Sequence, residues 1–265
     1  MDTGIKKYIQ NIFCLSTGVF IIGILFGVSV FAQEQTDLKS TLGNIKDDVS
    51  KIEQTKDVTT SFQLRKQALI KIINFTNLEI AQMRARISSS TPASDDETYL
   101  QSQFLSKLDF FSSQLHSFSS VLNNVRTLAE IKGVATSLKG WRENYLSEIK
   151  KMNDFLAYYQ LSSLLGVVNE RYQLIKSEVG LLPVQPNASS SIEQALEGQQ
   201  MHLDRATELL QQAHKMIIDF YLDRDYKKVS QKDFIDPDTL FLEAVQNLKD
   251  AYLSFFELGL LVSGK

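Results

Sequence analysis

Apolar residues recur along most of this chain at alternating intervals of three and four residues, which aligns their side chains along one face of an α-helix. We call each such stripe a seam. No stretch alternates between apolar and polar residues over the length of a strand, so the pattern predicts no β-sheet. The seams predict helices over residues 57–87, 97–125, 128–180, 191–222 and 237–262.

These helices define an all-α fold class, an elongated antiparallel helical bundle of five or six helices with coiled-coil-like seams. The bundle is expected to occupy residues 57–265. A weaker seam precedes it within residues 33–56, formed by Leu38, Leu42, Ile45, Val49 and Ile52. Gly43 lowers the helix propensity of that segment by about 1 kcal/mol relative to alanine. We therefore expect a first helix that can lie apart from the bundle.

Turn-forming residues and capping signals separate the predicted helices. Loops are expected near residues 88–96, 181–190 and 223–236. Thr127 and Glu130 have the spacing of a capping box, in which two side chains satisfy the free N–H groups at a helix start. Ser190 and Glu193 repeat that spacing. Asp236 precedes a proline, and this pair is typical of an N-cap followed by the first helical residue.

The apolar stretch Ile12–Ala32 contains no charged residue and follows two lysines. It ends in small residues at the positions that a signal peptidase reads. A basic start, an apolar run and small residues at the cleavage site are typical of a secretory signal peptide. We therefore expect residues 1–32 to be a signal peptide that is cleaved between Ala32 and Gln33.

The length of this stretch supports an alternative interpretation. A helix that spans a bilayer needs about 20 apolar residues, so residues 12–32 also suit an uncleaved membrane anchor. The lysines remain on the cytoplasmic side in either case. The rest of the chain is therefore expected outside the cytoplasm, in the periplasm, on the cell surface or secreted.

Charge is scarce in three parts of the predicted bundle. Phe155–Asn169 carries no formal charge but is too short to span a bilayer, so it is more typical of a buried helix. Residues 251–262 carry only Glu257. The helix over 97–125 is rich in serine on the face away from its seam, which indicates either burial on both sides or a face that binds a partner. We expect these three charge-poor parts to share the thickest core.

Neither the composition nor the motifs of the chain indicate a nucleic-acid-binding surface, a metal site or a catalytic site. The net charge of −3 gives no basic surface for nucleic acid. The single cysteine, Cys14, lies in the leader, so the remaining chain can form no disulfide. None of the three histidines follows a glutamate at the spacing of a di-iron or di-manganese bundle. No glycine-rich phosphate loop or nucleophile elbow occurs. We assign no catalytic residue, metal site or cofactor.

Trp141, Arg142 and Tyr145 are the candidate contact residues, because arginine and aromatic side chains can stack on a ligand or a protein partner. The alternative is a core position, since Trp141 is in phase with the apolar seam. The run from Thr127 to Glu130, leading to Trp141-Arg142-Glu143, resembles exported all-helical bacterial proteins of unknown role. That resemblance implies no activity.

The sequence thus predicts an exported, non-enzymatic helical bundle that acts through contacts with a protein partner. Its oligomeric state is left open. One alternative is a membrane-active bundle that uses residues 155–168 or 251–262. A second alternative is an enzyme whose site is built from dispersed carboxylates.

Overall fold

The part of the chain that the structure describes consists of α-helices and the short turns between them. The computed structural model describes residues 57–181, 186–222 and 236–263, besides five isolated residues between 47 and 55; the side chains of 186–189 and 260–263 are not part of it. We number the five helices in chain order: α1 Val58–Ser89, α2 Asp95–Asn124, α3 Leu128–Gly180, α4 Pro186–Tyr221 and α5 Pro237–Ser263. No strand occurs among the described residues.

Several sequence predictions concern residues outside this description. They are the leader over 1–32 with its cleavage between Ala32 and Gln33, most of the first helix within 33–56, and the loop over 223–235. Of the predicted first helix, the described residues Asp47, Lys51, Ile52 and Gln54 are helical. In the described part of the chain, no helix combines the length and the apolar character that crossing a bilayer requires.

The start of α4 corrects the sequence prediction. The helix begins at Pro186, five residues before the predicted start at Ser191. Proline suits the first helical position because its fixed φ matches the helix and its missing N–H needs no partner there. Ser190 therefore lies inside α4, and its spacing to Glu193 does not mark the helix start.

The predicted capping box at the start of α3 is confirmed. The backbone N–H of Glu130 donates to Thr127 Oγ1 at 3.2 Å, and the N–H of Thr127 donates to Glu130 Oε2 at 3.0 Å. A related pair caps the start of α2: the N–H of Glu97 donates to Ser94 Oγ at 3.2 Å, and the Glu97 carboxylate accepts from the N–H of Ala93. That pair has the same sequence spacing, so the signal was present and was missed.

The chain divides into two compact units, and the division falls inside α3, between Asn153 and Asp154. The first unit lies within residues 27–153 and contains α1, α2 and the first half of α3. Its buried residues follow the predicted seams. The largest include Ile73, Ile87, Phe104, Leu108, Leu115, Leu122, Tyr145 and Met152.

In its described part, the second unit contains the rest of α3 together with α4 and α5. Val168 and Tyr172 of α3 share one apolar core with Leu203 and Ala206 of α4. The α5 residues of this core are Leu248, Ala251, Phe255 and Leu258. The charge-poor parts of α3 and α5 thus meet, as predicted, but the charge-poor part of α2 belongs to the other unit.

Candidate contact surfaces

Two of the three candidate contact residues belong to an aromatic cluster in the first unit. The ring of Trp141 stacks on that of Tyr145, with centroids 5.3 Å apart and planes 7° from parallel. Phe111 of α2 meets the Tyr145 ring edge-on at 5.4 Å, and Phe118 packs beside Trp141. Trp141 and Tyr145 are 8% and 1% exposed. Their spacing of four residues on α3 places both rings on the face towards α2.

The polar atoms of this cluster are also enclosed. The Nε1–H of Trp141 donates to Gln114 Oε1 at 2.6 Å. Burial raises the pKa of the Tyr145 phenol well above its usual range, and the negative charge of Glu79 adds to the shift. A buried aromatic pair whose indole N–H has an internal hydrogen-bond acceptor supports the core interpretation. A partner contact at Trp141 and Tyr145 remains a prediction.

Arg142, the third candidate, joins α3 to α1. Its guanidinium forms an ion pair with Glu79 at 3.1 Å, donates to Thr76 Oγ1, and lies 5.7 Å from the centroid of the Phe75 ring. Burial raises the pKa of Glu79, and the positive charge of Arg142 opposes that rise. The guanidinium is therefore engaged within the unit, on the side of α3 next to the aromatic pair.

A buried carboxylate in the second unit escaped the sequence analysis. Asp154 is 3% exposed, and Oδ2 of its carboxylate accepts a 2.5 Å hydrogen bond from the Tyr221 hydroxyl. Burial raises the pKa of that phenol, and the charges of Asp154, Asp236 and Asp238 raise it further. The sequence carries no signal for this burial, because Asp154 lies two residues from both Met152 and Leu156 and is therefore out of phase with the predicted seam of α3. Among the described residues, no group of histidine and carboxylate side chains is placed to hold a metal ion.

The exposed side of α5 carries a second apolar stripe. One face of this helix is buried in the core of the second unit. On the opposite face, Leu242 is 72% exposed, and Val245, Leu253 and Phe256 are 45–49% exposed. Lys249 lies in the middle of this stripe and is also exposed. We call these five residues the outward stripe.

The sequence contained a signal for the outward stripe that was not used. The predicted seam of α5 ran through Leu240, Leu248, Phe255 and other residues that are now seen in the core. The apolar residues left over on that helix have their own spacing of three, four, four and three when Lys249 is included. A helix with one apolar face has no such remainder.

A smaller apolar groove lies between α2 and α3 in the first unit. It is lined by Phe118 and Val121 of α2, by Val125 directly after that helix, and by Val134 of α3. Gly133 also lines this groove, and a Cβ atom placed there would contact no other atom within 4 Å. The groove is open to solvent, and Val121 is 53% exposed.

Comparisons with known proteins identify no relative of this chain. No protein-family model, curated protein sequence or solved structure matches this chain.

Proposed function

We propose that this protein is an exported, non-enzymatic helical bundle that acts through protein–protein contacts in the cell envelope or outside the cell. The outward stripe of α5 is the observation that carries the proposal. The aromatic cluster at Trp141 and the Asp154–Tyr221 pair use their polar atoms in internal hydrogen bonds. The outward stripe instead exposes four large apolar side chains along one helix.

An exposed apolar helix face has a physical role in recognition. Burying a large apolar side chain is worth about 1.5–3 kcal/mol, so covering four of them favours association strongly. Side chains at intervals of three and four dock as a row into the groove of another helix or helix pair. The single charge at Lys249 adds selectivity, because an apolar partner without an acidic group would leave it unpaired.

The proposed compartment follows from the leader over residues 1–32. Mass spectrometry of the protein isolated from its own cells tests this part. A mature chain that begins at Gln33 is the expected result for a cleaved leader, and an intact N-terminus in the membrane fraction is expected for an anchor. Recovery of the intact chain in the cytosol would refute export.

The membrane-active alternative has weaker support. In the first candidate segment, 155–168, Phe155, Leu156 and Val168 are buried. In the second, 251–262, Phe255 and Leu258 belong to the apolar core that contains Val168. Releasing either segment would expose several side chains that are each worth about 1.5–3 kcal/mol when buried. The outward stripe, which includes Leu253 and Phe256 of the second segment, requires no such rearrangement to contact a protein partner, because it is already on the surface.

Site-specific photo-crosslinking in cells tests the contact surface. A photoreactive phenylalanine is placed at Leu253 in the outward stripe and, as a matched control, at Met201 of α4, which is 62% exposed. We expect a discrete protein adduct from Leu253 that is lost when Val245→Asp is added, and none from Met201. Equal adducts from both positions, or none from either, would contradict the proposal.

A further inference from the structure

The spacing of the outward stripe is symmetric about Lys249. Leu242 and Phe256 lie seven residues before and after it, and Val245 and Leu253 lie four residues before and after it. The four steps average 3.5 residues, the period at which apolar side chains stay in contact along two paired helices. All four apolar residues are exposed. Reversing the direction of the helix about Lys249 therefore superimposes apolar residues on apolar residues.

A contact between two copies related by a two-fold axis requires such symmetry. In an isologous contact, the same patch of both copies meets itself, so each residue must suit the residue at its symmetry-related position. With the axis at Lys249, Leu242 of one copy meets Phe256 of the other, and Val245 meets Leu253. We propose that the outward stripe is covered by a second copy of this chain, with the two α5 helices packed antiparallel. This inference rests on the proposed contact function and names the partner.

The charges near the axis suit a second copy as well. Two Lys249 side chains at the axis would repel each other if nothing compensated them. Asp250 follows Lys249 directly, and its Oδ1 accepts a 2.8 Å hydrogen bond from Gln246 on the flank of the stripe. Because an α-helix rises 1.5 Å per residue, the antiparallel arrangement brings Asp250 of each copy to within about 1.5 Å of Lys249 of the other along the helix axis. Two lysines and two aspartates then alternate around the axis.

Cysteine crosslinking distinguishes an antiparallel from a parallel pair of α5 helices. In the full chain with Cys14→Ser, Lys249→Cys lies on the axis and is expected to form dimers with a short bismaleimide. Leu242→Cys alone is not expected to do so, because the two copies of that position would lie about 21 Å apart along the helices. Mixing the Leu242→Cys and Phe256→Cys chains is expected to give mixed dimers. Efficient self-crosslinking of Leu242→Cys would indicate parallel helices and overturn the proposal.

Sedimentation of the full chain tests the association itself. We expect a reversible dimer that Leu253→Glu weakens by roughly tenfold or more, since a buried leucine is replaced by a charge. The matched control Leu174→Glu, at an exposed leucine of α3, is expected to leave the dimer unchanged. We also expect Lys249→Glu to weaken the dimer and Lys249→Glu with Asp250→Lys to restore it, which a general loss of folding would not allow.

The outcomes separate this inference from the proposed function. A chain that stays monomeric over the concentration range of the experiment, and shows no Lys249→Cys dimer, overturns the second copy as the occupant. If Leu253 still gives a specific adduct with a different protein in cells, the contact function stands and only its partner changes. A monomer that binds vesicles of phosphatidylglycerol through the outward stripe would overturn both.

Discussion

The hydroxyl of Tyr221 donates a 2.5 Å hydrogen bond to the carboxylate of Asp154, which is only 3% exposed. This bond joins the last turn of α4 to the middle of α3. A hydrogen bond to a charged group contributes about 1.5–3 kcal/mol to stability. We expect Tyr221→Phe to lower the free energy of unfolding by about that amount, measured by hydrogen exchange of α4. Tyr99→Phe, at an exposed tyrosine, is the control; an equal loss from both would contradict the prediction.

The same tyrosine makes stability depend on alkaline pH. Its pKa is raised in the fold, chiefly by burial and then by Asp154, above the usual tyrosine value near 10. The unfolded chain therefore releases this proton at lower pH than the folded chain does. The stabilisation is complete below pH 10 and is lost above it, at up to about 1.4 kcal/mol per pH unit.

Urea unfolding between pH 9 and pH 11 measures this dependence. We expect the stability of Tyr221→Phe to fall less steeply with pH than that of the unchanged chain, because the variant lacks the phenol whose pKa is raised in the fold. Tyr145 also has a raised pKa, so some alkaline loss should remain in the variant. Identical slopes for both proteins would contradict the assignment of the shift to Tyr221.

The helices were largely predictable, because their stripes and caps are local properties of the sequence. The start of α3 at Leu128 follows from Thr127 and Glu130 alone. The division between Asn153 and Asp154 was not predictable, since an unbroken seam crosses it and only distant contacts separate the two cores. The outward stripe was also missed, because the prediction assigned α5 a single apolar face, the seam through Leu240 and Leu248, although the remaining apolar residues have a spacing of their own.

The candidate site shows the same limit. The sequence placed Trp141 on the seam of α3 and left open whether it packs or binds. The orientation of the ring against Tyr145 and the bond to Gln114 depend on α2, which is 27 residues away in the chain. Pairing between distant segments carries no signal in one sequence, so only the structure brings these side chains together.

A buried amide in α4 should be replaceable by an apolar side chain. Gln199 is 0% exposed, and within the described part of the chain neither its Nε2 nor its Oε1 has a hydrogen-bond partner. A buried polar group without a partner costs about 1–3 kcal/mol. We expect Gln199→Leu to raise the stability of the second unit by an amount in that range, measured by hydrogen exchange of α4. Gln194→Leu, at an exposed position of α4, should have little effect.

A loss of stability in Gln199→Leu would show that the amide has a function in the folded protein. It would then act through a partner such as ordered water, and the apolar side chain could not replace it. The contrast with Gln194→Leu separates this result from a general effect of leucine on helix propensity.

The Arg142–Glu79 pair should be coupled and should respond to acid. Arg142→Met leaves a half-buried carboxylate without its cation, so we expect a loss of about 1–3 kcal/mol at pH 7. Burial raises the pKa of Glu79 above 4.5, and removing the arginine raises it further. Stability of the variant should therefore recover partly as the pH falls and Glu79 gains a proton.

Trp141 is the only tryptophan, so its fluorescence reports the unfolding of the first unit in this experiment. Adding Glu79→Gln to Arg142→Met should restore part of the lost stability at pH 7, because the unpaired charge is gone. If the stability losses of the two single variants simply add in the double variant, the two side chains are independent and the prediction is wrong.

Two glycines in α3 should be sites of stabilisation. Gly133 and Gly140 lie inside the helix, and an added Cβ atom would have no neighbour within 4 Å at either position. Alanine in a helix interior is about 0.5–1 kcal/mol more favourable than glycine. We expect Gly133→Ala and Gly140→Ala each to raise the urea midpoint followed by Trp141 fluorescence. A decrease would show that one of these positions needs the flexibility of glycine.

The central claim is that the outward stripe of α5 is covered in the cell. Single cysteines at Leu253 and, as a control, at the exposed Leu174 can be labelled with a membrane-impermeant maleimide in intact cells and in dilute purified protein. We predict that Leu253→Cys is protected in cells and reacts when purified, whereas Leu174→Cys reacts in both. Equal labelling of the two positions in intact cells would contradict the account.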